Sequence, residues 1–204
     1  MIKNLNEMKK ASKTKMEIVK VILFVMVSIS ITSCSNDQKA EDTKEIAEDH
    51  NDAKFEDNDK ERDAQFLVNA AEINLEEISL AQLAQQFGKT EDVKELGKAM
   101  EINHAKSLQE LTILAQTKLI SIPTSPTENV QEAHKILNSK SSENFDEAYC
   151  DMIVKNHKNA ISTFEKAANE CTDADIKSWA NSSLNELRTH QDHAIECKNK
   201  SEKM

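Results

Sequence analysis

Four polar side chains stand at positions that helical periodicity assigns to an apolar interior: Glu77, His104, His157 and His190. Each lies on the apolar stripe of a different helical segment. A carboxylate and three imidazoles converging in a dry core form a ligand set for a transition metal, and imidazole suits Zn, Cu, Fe or Ni. The same groups can instead form a hydrogen-bonded layer that fixes helix register, with Glu77 paired to a protonated histidine. A di-iron site would need one Glu from each of two helices and Glu-x-x-His on the other two. Here Glu101-x-x-His104 supplies one such motif, Val154 stands three residues before His157, and the fourth segment offers Glu186-x-x-x-His190. The metal reading is therefore one Zn, Cu or Fe ion on Glu77, His104, His157 and His190, with Glu101 and Glu186 as secondary candidates.

These groups can meet only if the elements that carry them stand side by side. The 204 residues include 2 Gly, 2 Pro and 4% aromatics, a composition for long helices rather than for sheets with glycine-rich turns. No G-x-G occurs, and Gly88-Lys89-Thr90 lacks the first glycine of a G-x-x-x-x-G-K-[ST] phosphate loop, Leu83 standing in its place, which argues against doubly wound nucleotide-binding folds. Apolar residues recur at helical spacing over 63–87 and 90–118, separated by Gly88, and again over 145–169 and from Asp173 onward. Each pair reads as a helical hairpin. Residues 119–144 hold Pro123, Pro126 and a short helical stretch at 129–137, a connection long enough to run the length of a bundle. The expected fold is all-α: a ferritin-like four-helix bundle over 63–200, with one long crossover between the second and third helices carrying a short extra helix. In an antiparallel pair, residues at one level are equidistant from the turn. Glu77 and His104 lie about 13 residues from theirs and His157 and His190 about 16, or roughly 20 and 25 Å into each hairpin, so all four can share one level.

The same rule places Cys150 level with Cys197 at the far end of the second hairpin. A disulfide there is permitted in an oxidising compartment, and two reduced core cysteines satisfy the spacing equally well. Cys171 falls at the opposite end and reads as a free thiol. His134 and His193 fall on exposed faces, and His50 precedes the bundle.

The first third of the chain follows other rules. Residues 1–20 carry six lysines, and an apolar run from Val21 to Ile31 follows that is too short to span a bilayer. The run ends in Ile31-Thr32-Ser33-Cys34, which resembles the lipobox of bacterial lipoproteins. That resemblance implies a signal peptide over 1–33, acylation of Cys34 and, with Ser35 rather than Asp following, lipid anchoring at the outer membrane. Residues 35–62 hold 11 acidic and 5 basic residues with only Ile46 and Phe55 as sizeable apolar side chains. Residues 34–62 are accordingly expected to be the acylated Cys and a disordered acidic tether. A net charge of -10 excludes the basic surface that nucleic acid requires.

The segments FLVNAAEINLEEISLAQLA, MEINH, FDEAYCDMIVKNHKNAISTFEKAA and LNELRTH together resemble the bacterial domain-of-unknown-function family 4142, over about residues 64–198. The resemblance implies an exported, ferritin-like outer-membrane protein. Its recurrent Glu and histidines match Glu77, His104, His157 and His190. Asn103 stands where members often carry Asp, a departure expected to weaken an outer contact to His104; Asn185 stands where a Pro is frequent. The family brings no established reaction. Three functions remain open on the sequence: a non-enzymatic binding or envelope-maintenance module on a tether, a metal-binding envelope protein, and a redox or hydrolytic enzyme using the same metal. The first makes the fewest demands; protein partners and oligomeric state are not encoded in any motif.

Overall fold

The computed structural model describes residues 42–140 and 143–201. Among these residues the chain is all helical: α1 (Thr43–Asp52), α2 (Asn58–Phe87), α3 (Glu91–Lys118), α4 (Glu128–Asn138), α5 (Phe145–Glu170) and α6 (Ala174–Ser201). Helices α2, α3, α5 and α6 form the ferritin-like bundle. The pairs α2/α3 and α5/α6 pack most extensively, and α4 lies in the crossover against α2 and α5. No helix among the described residues is long and apolar enough to cross a membrane. Residues 1–33 and Cys34 lie outside the described part.

Local chemistry sets the ends of the helices. Thr90 and Thr127 accept from the backbone N–H of Val93 and Val130, and Asp173 accepts from those of Asp175 and Ile176. Acidic residues occupy the first turns of these helices, where the positive end of the helix dipole favours them. Gly97 lets α3 approach α2 closely, because a Cβ there would lie 2.9 Å from the Ala81 carbonyl oxygen.

Two buried aspartates join the hairpins. Asp63, near the start of α2, accepts from Thr172 N, Thr172 Oγ1 and Asp173 N at the turn between α5 and α6, at 2.7–3.2 Å. Asp146, near the start of α5, accepts from Lys89 N, Thr90 N and Thr90 Oγ1 at the turn between α2 and α3, at 2.8–2.9 Å. Each hairpin thus closes the other's turn, and each carboxylate satisfies backbone donors that the start of a helix leaves unpaired.

The tether expectation is corrected for residues 42–62. Helix α1 packs on α2 with Ala47 and Asn51 buried, and α2 begins at Asn58, capped by Asp57. Asn51 donates to the Ser121 carbonyl and accepts from Ser121 N, both at 2.8 Å, while Lys44 pairs with Glu72 at 2.6 Å. A segment with few apolar side chains is therefore held by polar contacts to the crossover and to α2.

The core consists of two apolar clusters. One surrounds Phe66, Phe164 and Ile176 near the α5/α6 turn; the other surrounds Leu80, Tyr149 and Met100 toward the α2/α3 turn. The buried polar residues Asn74, Glu77, His104, His157 and His190 belong to neither cluster. Because each aspartate clasp serves backbone donors with no other partner, Asp146→Ala is expected to lower the free energy of unfolding by about 2 kcal/mol in urea titration. Lys89→Ala, whose backbone N–H remains, should leave it nearly unchanged.

Candidate metal centre

The interior stripe of each helix delivers one side chain to the middle of the bundle: His104 from α3, His157 from α5 and His190 from α6, all at most 4% exposed. The ring centroids are 5.4 Å (His104 to His157), 5.1 Å (His104 to His190) and 5.4 Å (His157 to His190) apart. One ligand atom from each ring lies within 4.8 Å of the others. Nitrogens around a tetrahedral ion bound at about 2.0–2.1 Å are about 3.4 Å apart, so loading requires the rings to close by roughly an ångström.

Each ring is held by one nitrogen and leaves the other free. Asn74 Nδ2 donates to the Ala70 carbonyl at 2.8 Å, which turns its Oδ1 to accept from His104 Nδ1 at 3.0 Å. His157 Nδ1 donates to the Ile153 carbonyl at 3.0 Å. Asn103 Nδ2 lies 2.9 Å from His190 Nε2 and as placed donates to it; the same amide turned over, with Oδ1 in that position, would accept from Nε2–H and leave the Nδ1 lone pair free. The nitrogens left over, His104 Nε2, His157 Nε2 and His190 Nδ1, are buried without any hydrogen-bond partner. A ligating histidine shows this arrangement: an outer nitrogen fixed by a carbonyl or amide, and an inner lone pair offered to the ion.

The profile of the family described as a domain of unknown function (DUF4142) matches residues 46–196. The chain belongs to this family. No curated protein and no solved structure matches it.

Electrostatics keep the imidazoles of this DUF4142 domain in the form a metal needs. Burial, reinforced by His157 and His190, holds His104 well below the usual histidine range. Burial lowers His157 to about 4, and burial with His157 and His193 nearby lowers His190 to about 4. All three are neutral at neutral pH, and the expectation of a protonated histidine paired with Glu77 does not hold. Burial, with Glu76 beside it, pushes the Glu77 carboxyl well above the usual carboxylate range.

Glu77 itself is placed differently from the expected ligand set. Its Oε1 lies 3.7 Å from His157 Nδ1, the nitrogen that donates to Ile153, and the clustered ligand atoms are those of the three histidines. Glu77 is thus a neighbour of one ligand rather than a fourth ligand. A cation held on His157 would favour the ionised form of the Glu77 carboxylate, which would supply a buried counter-charge. Glu101 is outside the centre, on an exposed face where Gln82 and Gln85 donate to it at 2.8 and 2.7 Å. Glu186 is half-exposed, 3.9 Å from His190 Nε2. With His104, Asn103, Ser107 and Ser183 it lines a cavity of about 20 Å³, room for a single water.

Two orienting residues carried only weak sequence signals. Asn74 is legible as an amide on a buried stripe but not as the partner of His104. Asn103 was expected at His104 and reaches His190 instead, because adjacent helical positions diverge by about 100° and Asn103 faces α6. Cys150 and Cys197 lie together, Cys150 Sγ donating to Cys197 Sγ at 3.0 Å, and both are free thiols here; Cys171 is buried at the other end.

Burial of neutral imidazoles makes the metal-free fold acid-sensitive. Their pKa values are lower in the fold than the 6.5 of an ordinary histidine, so unfolding takes up protons below that pH. Stability from this source is complete above pH 6.5 and is lost as pH falls toward about 4. Glu77, and to a lesser extent Glu76, are raised above 4.5 and act with the opposite sign, losing stability as pH rises. Three imidazoles outnumber two carboxyls, so the metal-free protein should lose on the order of 1 kcal/mol per pH unit between pH 6.5 and 4. Urea midpoints across that range measure it, and His157→Gln should flatten the slope.

Proposed function

We propose that this protein binds a single transition metal ion on His104, His157 and His190, and presents that centre in the bacterial cell envelope from a lipid on Cys34. One observation carries the metal reading: three buried imidazoles from three helices bring ligand atoms within 4.8 Å of one another, and each has one nitrogen without a partner. A purely structural polar layer would be expected to satisfy its members, since an unpaired buried polar atom costs about 1–3 kcal/mol. A cation supplies the missing partner to all three at once. Three neutral nitrogen donors without a thiolate favour Zn or Cu, and Fe is accommodated by the same set. The absence of a second Glu-x-x-His motif beside Glu101-x-x-His104 supports one ion rather than two.

Three protein ligands leave a coordination position for water or a small ligand. The water-sized cavity beside His104 and His190, with Glu186 at its edge, supports a solvent path to the centre. A redox or hydrolytic role rests on that position. The envelope location is supported by the lysine-rich start, the apolar run and Ile31-Thr32-Ser33-Cys34.

Elemental analysis of untagged protein tests the reading, and about one metal per chain is expected, lost in a His104→Ala, His157→Ala variant that keeps its helical content. A metal-free, fully helical wild type that also fails to take up added Zn, Cu or Co would overturn it. Removing the oriented outer contacts should weaken binding without abolishing it: Asn74→Leu and Glu77→Gln are each expected to lower affinity about 10- to 100-fold in competition with a chelator. Loss of the same magnitude for Glu101→Gln would contradict the geometry, since that side chain lies on the surface.

A further inference from the structure

Cys150 on α5 and Cys197 on α6 are two buried thiols in contact outside the metal centre. Their sulfurs are 3.0 Å apart, and the residues are 0% and 6% exposed. Cys197 also lines a surface cavity of about 220 Å³ between α3 and α6, together with Asp92, Glu95, Leu96, Ala99, His193, Glu196 and Lys200. Lys200 is engaged by Asp92 at 3.0 Å and Glu196 at 3.4 Å. Three carboxylates against one lysine leave the cavity negative. Cys197, the more exposed of the pair and the one that lines the cavity, is the sulfur that an incoming molecule reaches, and the hydrogen bond from Cys150 lowers its thiol below the ordinary value. That same hydrogen bond, with burial, raises Cys150.

We propose that Cys150 and Cys197 are an oxidisable dithiol that reacts, through Cys197, with small cationic disulfides entering this acidic cavity. The oxidant is the incoming disulfide. The Cys197 thiolate attacks one of its sulfurs, forming a mixed disulfide and releasing the other half as a thiolate. Cys150 Sγ then gives up its proton and attacks Cys197 Sγ, which releases the second half as thiolate. Two protein thiols are oxidised to one disulfide, and one small disulfide is reduced to two thiols. The product bridges α5 and α6 near the end of the hairpin opposite their turn. The charge of the cavity selects the oxidant: cystamine is cationic and is drawn in, whereas oxidised glutathione is anionic and is repelled.

The test treats the full-length chain with cystamine or with oxidised glutathione at low ionic strength and follows each cysteine by peptide mass mapping. A Cys150–Cys197 bridge that forms about tenfold faster with cystamine, with the difference shrinking in high salt, is the expected result. Cys171 serves as an internal reference, because burial with Asp63 beside it pushes its thiol up to about 12. Cys150→Ser should stop at a stable mixed disulfide on Cys197, and Cys197→Ser should leave Cys150 unmodified over the same time. No bridge in the folded wild type would overturn the proposal. So would equal rates with the two disulfides, or modification of Cys171 at the rate of Cys197, which would mark reaction through unfolding.

Discussion

Desolvation of imidazole nitrogen governs the middle of this bundle. An interior of helices cannot hydrate a ring, so each nitrogen must find a protein partner, stay unpaired at a cost, or bind an ion. Here every outer nitrogen has a partner, provided by Asn74, Ile153 or Asn103, and every inner one lacks it. The same burial that imposes the cost also depresses the histidine pKa values and so keeps the lone pairs available. Cost and capacity have one origin: the dry environment that penalises a bare imidazole also strengthens its attraction to a cation.

The surrounding structure serves that environment. Apolar clusters on both sides exclude water, and the aspartate clasps hold the hairpins together so that residues from three helices keep one level. Burial favours the protonated form of the Glu77 carboxyl, and a positive charge nearby would favour its ionised form.

Much of this was legible in the sequence, for identifiable reasons. Histidines on apolar stripes, together with nearly equal distances from the turns at Thr90 and Asp173, located the three clustered histidines and the hairpins, since helical rise and period are insensitive to context. Other features depended on contacts distant in sequence. Helix α1 has too few apolar residues to announce itself, because Asn51 docks on Ser121 in the crossover. Glu77 shares the level of His104 within a turn, but level alone does not say which neighbour a side chain touches. Asn74, one turn away, takes that contact, and Glu77 turns toward His157 on another hairpin. Amide orientation around His190 was beyond any periodicity, because Asn103 crosses from α3 to α6.

The reciprocal clasps imply a symmetry in the chain. The interval between Asp63 and Asp146 also separates Gly88 from Cys171, Thr90 from Asp173 and Asn74 from His157. The two hairpins match position for position at these residues, and each reaches over to close the other's turn. The polar layer breaks that equivalence. At one of the matched positions stands His157, whose Nε2 has no partner; at the other stands Asn74, whose Oδ1 holds His104 Nδ1. Exchanging amide for imidazole at one matched position is what makes the number of clustered imidazoles odd.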